Sequence, residues 1–227
     1  NAMVISQQDT MYYDQIKGTE MMAYFNRKSQ LRRFDALGGA SAIFFIEEDK
    51  IITALFDEGM ETLHIWKPDS LPIYSERLLS LISEEYRKRI YVHEHFYLKD
   101  EFNLAGICLA DETDEEPHGK GKVCCVCNDI NNLKMASKKF EYVLLNGCFT
   151  EGGYSEEQLK VASKEKLINK KVFAMGGVSL DQFKFAKDLG FGGVVMMSDL
   201  WNKFEIHQQD SYNELIAYFK KIKNILS

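Results

Sequence analysis

Two apolar runs near the end of the chain predict its architecture: Val172-Phe-Ala-Met-Gly-Gly-Val178 and Gly190-Phe-Gly-Gly-Val-Val-Met-Met-Ser198. Each is short and almost continuously apolar, as is typical of a strand that is buried on both faces. Between them, Leu180 to Leu189 has helical spacing, and Gly190 ends the helical pattern. The two runs therefore predict neighbouring parallel strands joined by a helix.

Earlier in the chain, six further runs have the same character. They are Ala42–Ile46, Thr62–Trp66, Ile90–His93, Ala105–Leu109, Val123–Cys127 and Tyr142–Leu145. Helical patterns follow most of them: Lys50–Glu58, Tyr74–Lys88, Ile130–Lys138, Glu156–Lys166 and, at the end, Tyr212–Leu226. The third and fourth connections are short, which predicts stunted helices there. Eight such strands predict an α/β protein with a (β/α)₈ TIM barrel, in a single domain with an extra N-terminal segment.

The N-terminal segment, residues 1–40, lies outside this count, and the barrel is expected over 41–227. Asn1 and Ala2 are interpreted as a tag scar, with Met3 as the natural start. The spacing of five apolar residues predicts a helix that covers the bottom or edge of the barrel: Met21, Met22, Phe25, Leu31 and Phe34. The alternative is a lid or an element of a homodimer.

Composition excludes several classes of protein. The 227 residues are 45% hydrophobic and 27% charged, which suits a globular chain with a sizeable core. A net charge of −6 argues against nucleic acid or a membrane surface as a partner, and no apolar run is long enough for a membrane span. Five cysteines without framework spacing, and no secretory signal, predict a reducing cytoplasm. Phosphorylated small-molecule substrates remain compatible with a local cationic pocket.

Several segments resemble the thiamine-phosphate synthases and their thiazole tautomerase relatives, over roughly residues 42 to 204. The two runs quoted first carry most of the resemblance. Four other segments also carry it: Leu55-Phe-Asp-Glu-Gly-Met-Glu-Thr-Leu-His-Ile-Trp-Lys-Pro68, Arg89-Ile-Tyr-Val-His-Glu-His-Phe96, Leu104-Ala-Gly-Ile-Cys-Leu109 and Phe140-Glu-Tyr-Val-Leu-Leu145. The resemblance implies a (β/α)₈-barrel transferase of thiamine biosynthesis, which joins a hydroxymethylpyrimidine diphosphate to a thiazole phosphate with the help of Mg²⁺.

The resemblance assigns the thiazole phosphate to Gly176, Gly177 and Ser198. Glycines that follow a buried strand let backbone N–H groups approach an anion closely, and Ser198 stands where the eighth strand ends. The alternative is a set of tight turns after strands. Lys67 ends the second strand and is the main candidate cation for the departing pyrophosphate, the alternative being a surface lysine before Pro68.

The end of the third strand supplies further candidates. His93 and His95 are candidate catalytic groups, because histidine does acid–base work near neutral pH. Glu94 and Asp111 offer oxygen ligands for Mg²⁺. His64 lies two residues before Trp66, so both should face the same side of their strand, although a core histidine is an equal interpretation.

The chain also departs from the family pattern. Trp66 stands where the family has an arginine, and it is expected to stack on the pyrimidine instead. In the fifth strand, Val126, Cys127 and Asn128 replace the family's Ser-Cys-His. The sixth loop, Asn146-Gly-Cys-Phe-Thr-Glu-Gly-Gly-Tyr154, lacks the family's lysine and carries Glu151. Losing such cations is expected to lower the rate, since removing one contact of this kind often lowers kcat by a factor of ~10²–10³.

Three other functions stay open. A thiazole tautomerase moves protons without expelling pyrophosphate, and the histidines at the barrel mouth suit that reaction. A catalytically degenerate barrel would only bind a phosphorylated ligand or a partner protein. The third is a soft-metal site for an ion such as Zn²⁺, drawn from His93, His95, Cys108, Cys125 or Cys127, and Cys148.

Overall fold

The structure is a computed structural model that describes residues 2–7, 13–18, 20–25, 31–37, 41–43, 48–115, 121–203 and 209–226. Side chains are described for residues 48–115, 121–203 and 212–225. The chain divides into two compact units. The N-terminal unit comprises Asn1–Glu47 with Phe204–Glu214, and the barrel unit comprises Glu48–Lys203 with Leu215–Ser227.

The described backbone of the N-terminal unit contains five strands. They are β1 (Ala2–Gln7), β2 (Tyr13–Gly18), β3 (Glu20–Phe25), β4 (Leu31–Leu37) and β5 (Ser41–Ile43). The order β1-β2-β5 forms an antiparallel sheet, and β3 pairs with β4 as an antiparallel hairpin.

Two predictions for this region are wrong. The helix expected over Met21–Phe34 is replaced by β3 and β4. The predicted first barrel strand, Ala42–Ile46, also differs, because Ser41–Ile43 pairs antiparallel with β2; residues 44–46 lie outside the described residues. The physical reason is that a short apolar pattern does not identify the strand that will supply its backbone hydrogen bonds.

The barrel unit is built on a seven-stranded parallel sheet. Its strands are β6 (Leu63–Ile65), β7 (Ile90–Val92), β8 (Gly106–Leu109), β9 (Lys122–Cys127), β10 (Val143–Leu145), β11 (Val172–Ala174) and β12 (Gly193–Val194). They pair in chain order from β6 to β12. These are the predicted second to eighth strands, and the sheet confirms the (β/α)₈-barrel fold class.

Helices connect and cover these strands. They are α1 (Glu48–Asp57), α2 (Pro72–Leu81), α3 (Glu84–Arg87), α4 (Leu98–Glu101), α5 (Leu133–Lys139), α6 (Glu156–Lys164), α7 (Phe183–Leu189), α8 (Ser198–Trp201) and α9 (Gln209–Leu226). The four-residue α4 confirms the stunted third connection. Within the described part of the chain, no helix combines the length and apolar character needed to cross a bilayer.

Local signals explain where several helices begin and end. Ser155 and Gln158 form a reciprocal capping box at the start of α6, which satisfies backbone N–H groups that have no partner inside the helix. Gly190 ends α7 in the left-handed region with φ +88°. An L-residue is disfavoured there, so glycine is the natural stop signal.

Side chains of the parallel strands alternate between two layers. One layer packs against the helices and includes Ile65, Val92, Leu109, Cys125 and Leu145. The other faces the barrel interior and forms a smaller cluster, here called the inner cluster. Its buried members are Tyr91, Cys108, Cys124, Val126, Leu144 and Met175, with Tyr142 and Phe173 packed against it. The alternation therefore decides which polar side chains meet inside the barrel.

Candidate active site

The predicted site residues lie at one end of the sheet. Lys67 follows β6, His93 follows β7, Gly177 follows β11 and Ser198 follows β12. Because these strands are parallel, all four residues lie at their carboxyl ends, where (β/α)₈ barrels build their sites. The sequence prediction that these four share one end of the barrel is confirmed.

Lys67 is paired with a carboxylate from the first helix. Its Nζ lies 2.6 Å from Oε2 of Glu48, with side-chain exposures of 30% and 49%. Such a half-exposed pair contributes little stability, because both groups keep much of their hydration. Because the pair is weak, an incoming anion can compete with Glu48 for the ammonium group of Lys67.

Two histidines and a tyrosine form a hydrogen-bonded chain in the barrel interior. Nδ1 of His64 lies 2.9 Å from Nε2 of His93, and Nε2 of His64 lies 2.8 Å from the Tyr142 hydroxyl. The indole of Trp66 stacks on the His93 ring at 5.6 Å between centroids, with Trp66 still 48% exposed. His64 thus faces the same side as Trp66, as the period of two predicted.

Burial keeps both of these histidines neutral. It lowers the pKa of His93 from 6.5 to about 4. Burial, assisted by the nearby His93, lowers the pKa of His64 to about 3. Burial also raises the pKa of Tyr142, so its hydroxyl stays protonated. At neutral pH the chain can run from the Tyr142 O–H to His64 and from the His64 Nδ1–H to His93, with no net charge.

These shifts predict a pH-dependent stability. A histidine with a lower pKa in the folded than in the unfolded state binds fewer protons when folded, so the free energy of unfolding falls as pH decreases from 6.5 towards 4. Between pH 7 and 5, we expect His93 to account for about 2 kcal/mol of that fall. Urea unfolding at pH 7 and at pH 5, with a chelator present, measures this difference in the free energy of unfolding.

The matched variants are His93→Gln and His95→Gln. His93→Gln removes the buried titrating group, so its stability should depend less steeply on pH than that of the wild type. His95→Gln should retain the wild-type dependence, because the ring of His95 bonds to a loop carbonyl outside the inner cluster. Equal pH dependence in all three proteins would contradict the prediction.

The predicted pair His93 and His95 does not come together as an acid–base pair. Nε2 of His95 lies 3.1 Å from the Ser70 carbonyl oxygen, whereas His93 points inward to His64. His95 also has a left-handed backbone conformation, with φ +53°. Side chains two residues apart, such as His93 and His95, point to the same face only while the backbone stays extended, and the backbone leaves that conformation after β7.

Carboxylates and amides follow the middle strands. Asp111 accepts hydrogen bonds from the Thr113 N–H at 2.9 Å and from its hydroxyl at 2.6 Å, and these bonds lower the pKa of Asp111. Glu112 is buried, with Oε1 accepting from Asn132 Nδ2 at 2.7 Å. Glu94 is half-buried at the end of β7. Three acidic side chains therefore follow β7 and β8, and Glu112 among them was not predicted.

The turn after β11 packs directly against the sixth loop. Gly176 and Gly177 both have positive φ, +90° and +66°. The Gly176 carbonyl accepts from the Phe149 N–H at 2.9 Å. A Cβ on Gly177 would lie 2.3 Å from the Phe149 carbonyl oxygen. Glycine is required here by close backbone approach as well as by conformation.

The backbone at this turn offers unused donors. Among the described residues, no carbonyl accepts from the N–H of Gly177 or of Ser198. Both residues are exposed at the ends of neighbouring strands, since Ala174 pairs with Val194. Two backbone donors without a carbonyl partner in the described chain are therefore exposed at this end of the sheet.

Sequence reasoning missed two polar residues of the site, and it grouped cysteines that the structure separates. Tyr142 was read only as the start of a strand, although its period-two spacing from Leu144 and Asn146 places it on the inner face. Asn146 donates to the Asn128 side chain at 3.1 Å, which joins the ends of β9 and β10. Of the sulfur residues proposed for zinc, Cys125, Cys127 and Cys148 pack in the helix-facing layer, whereas Cys108 lies in the inner cluster.

A parallel sheet in chain order, with polar groups and glycine turns at its carboxyl ends, defines a barrel protein of the (β/α)₈ class. The crystal structure of thiamine phosphate pyrophosphorylase from Bacteroides thetaiotaomicron is similar to the structure of this chain. The TM-score is 0.74 and the sequence identity 47%, over 81% of this chain and 92% of that one. This chain belongs to the thiamine phosphate pyrophosphorylase family.

Other comparisons support the fold alone. Thiamine phosphate pyrophosphorylase from Pyrococcus furiosus has a TM-score of 0.61 at 13% identity, over 81% of this chain and 93% of that one. A structure described as native KDPGal has a TM-score of 0.55 at 18% identity, over 79% and 91%. No family model and no curated protein matches the sequence.

Proposed function

We propose that this protein joins a hydroxymethylpyrimidine diphosphate to a thiazole phosphate, giving thiamine phosphate and pyrophosphate. The observation that carries the proposal is the 47% identity to the Bacteroides thetaiotaomicron thiamine phosphate pyrophosphorylase, over 92% of that chain. The TM-score of 0.74 to the same structure supports the same assignment.

The reaction requires cations beside the leaving group. The carbon–oxygen bond to the diphosphate breaks with both electrons on oxygen, and the thiazole nitrogen then forms the new carbon–nitrogen bond to the pyrimidine carbocation. Lys67 is the proposed group that meets the growing charge on pyrophosphate. The substrate diphosphate would replace Glu48 as the partner of Lys67.

Trp66 is the proposed platform for the pyrimidine. Its indole is half exposed and is supported from below by the His93 ring. The face of an indole is electron-rich, so it stabilises a cation placed over it. Burial lowers the pKa of His93 to about 4, so its ring carries no acidic proton for acid catalysis at neutral pH. The proposed role of His93 is therefore to orient Trp66 rather than to transfer a proton.

The thiazole phosphate is assigned to the glycine turn. The N–H groups of Gly177 and Ser198 can donate to phosphate oxygens without loss of existing backbone bonds. Gly176 lets the chain turn sharply enough to present them, at φ +90°. The phosphate and the pyrophosphate would thus be held at strands from opposite edges of the seven-stranded sheet.

Mg²⁺ is the proposed metal, and the carboxylate oxygens near the ends of β7 and β8 are the type of ligand that it prefers. Glu94 and Asp111 follow the neighbouring strands β7 and β8, and Asp111 is kept deprotonated by its Thr113 bonds. Magnesium is usually held by one or two carboxylates, with water and substrate phosphate completing its shell. When bound, it would neutralise charge on the diphosphate.

The sixth loop is expected to limit the rate. Its backbone closes on itself through Gly153 N to Thr150 O and Tyr154 N to Gly147 O. Glu151 is exposed in this loop and brings negative charge near the anion-binding end. Without a lysine there, turnover is expected to be slower by ~10²–10³ than with a full set of cations.

The deciding experiment supplies both substrates and Mg²⁺ and measures thiamine phosphate and pyrophosphate together. We expect equal amounts of both products, and none when the pyrimidine diphosphate or Mg²⁺ is left out. Calorimetric titration with thiazole phosphate alone measures binding separately. Binding without turnover would contradict the synthase and favour a degenerate binder or a tautomerase, which a direct tautomerase assay then separates.

A further inference from the structure

A second group of possible metal ligands lies beneath the mouth, apart from the carboxylates. In the described part of the chain, one group of three metal-binding side chains has all its ligand atoms within 4.8 Å of one another: His64, His93 and Cys108. His64 lies in β6, His93 directly follows β7, and Cys108 lies in β8, and these three strands are consecutive neighbours in the sheet. Hydrogen-bonded neighbouring strands therefore position all three side chains.

The separations are close to those of a tetrahedral zinc site. With Zn–N near 2.0 Å and Zn–S near 2.3 Å, tetrahedral geometry places the two nitrogens about 3.3 Å apart and each about 3.5 Å from the sulfur. The two histidine nitrogens are 2.9 Å apart, so they must separate by a few tenths of an ångström. The Cys108 sulfur lies within 4.8 Å of both nitrogens and also has to move towards them. Its weak 3.8 Å contact with the Leu109 carbonyl does not prevent this.

The neighbours of these side chains suit metal binding. When Nδ1 of His64 is the ligand, Nε2 carries the proton and can donate to the Tyr142 oxygen, 2.8 Å away. A partner of this kind fixes the tautomer and orientation of a ligating histidine. Trp66 stacks on His93 and restrains its ring in the same way. Cys108 is fully buried, so its sulfur is shielded from competing reactions.

We propose that His64, His93 and Cys108 bind a single Zn²⁺ ion. Two imidazoles and a thiolate select a borderline or soft metal, whereas Mg²⁺ prefers the carboxylates above them. On binding, the Cys108 thiol releases one proton to solvent, and a water or small ligand completes the tetrahedron. This site does not depend on the proposed transferase activity.

The test uses the full-length protein after removal of metals with a chelator. Zn²⁺ is titrated against a chromophoric competitor without any substrate, and Co²⁺ is used as a spectroscopic probe. We expect one Zn²⁺ per chain, and a Co²⁺ spectrum with a thiolate charge-transfer band and intense visible bands of tetrahedral geometry. Cys108→Ser should lose the charge-transfer band and weaken Zn²⁺ binding by at least ~100-fold.

Two further variants make the result specific. Cys125→Ser is the matched control, because Cys125 is equally buried but packs in the helix-facing layer, and it should bind Zn²⁺ as the wild type does. Tyr142→Phe touches no metal but removes the partner of His64, so a loss of about 10-fold is expected. Circular dichroism of each variant checks that it is folded.

Three outcomes would overturn the site. They are no stoichiometric Zn²⁺ in folded wild-type protein, a Co²⁺ spectrum of octahedral type without thiolate bands, and unchanged Zn²⁺ affinity in folded Cys108→Ser. Failure of the transferase assay would leave these measurements unaffected, since they contain no substrate. The two proposals can therefore fail separately.

Discussion

Lys67→Ala is expected to lower kcat for thiamine phosphate synthesis by about 10²–10³, while thiazole phosphate binding changes little. The residue follows β6, whereas the glycine turn that would hold the thiazole phosphate follows β11. The charge that Lys67 would meet grows as pyrophosphate departs. Its loss should therefore act on the transition state more than on the ground state.

The measurement pairs steady-state kinetics with calorimetric binding of thiazole phosphate. Lys88→Ala is the matched control, because Lys88 precedes β7 at the opposite end of the sheet and is exposed. It should leave kcat unchanged. Glu48→Gln removes the present partner of Lys67 and is expected to strengthen diphosphate binding. If Lys67→Ala retains full activity, the pyrophosphate does not bind at the end of β6.

Gly177→Ala should have the largest effect on the phosphate site. Its Cβ would lie 2.3 Å from the Phe149 carbonyl oxygen and 2.7 Å from the Thr150 nitrogen, so backbone of the sixth loop must move. The residue also sits at φ +66°, where alanine is strained. We expect a loss of about 2–4 kcal/mol in the free energy of unfolding and about 100-fold in thiazole phosphate affinity.

Gly190→Ala separates conformational strain from the clash. Gly190 has φ +88°, but no atom lies within 4 Å of a Cβ built on it. Gly190→Ala should lower the free energy of unfolding by about 1 kcal/mol and leave phosphate binding intact. Urea unfolding and calorimetry measure both quantities. Equal effects at the two glycines would show that the contact between the Gly177 turn and the sixth loop does not matter.

Much of the barrel could be predicted because its signals are local. Continuous apolar runs mark strands buried on both faces, and this places β6 to β12 within a few residues. Gly59, with φ +101°, and Gly190 end helices because only glycine takes that conformation cheaply. Positions of the candidate site followed as well, since the carboxyl ends of parallel strands all lie at one edge. The roles of these residues remain predictions.

The errors arose where the partner is distant in sequence. Residues 41–43 read as a barrel strand, yet they pair with β2 in an antiparallel sheet. The sequence predicted His93 and His95 as an acid–base pair, yet the hydrogen-bond partner of His93 is His64, 29 residues earlier. In the first case the local pattern describes the extended backbone correctly and says nothing about the strand beside it. In the second, the backbone also leaves the extended conformation at His95, with φ +53°.

The sequence by itself determined the family, the order of the strands from β6 to β12 with the helices between them, and the end of the barrel where polar groups collect. Tertiary structure alone decided that Tyr142, His64, His93 and Cys108 share one interior, and that Glu48 pairs with Lys67. The physical reason is that alternation assigns a side chain to a face, whereas sheet order and register decide its neighbours on that face. Burial then follows from those neighbours, and with it the neutral state of both histidines.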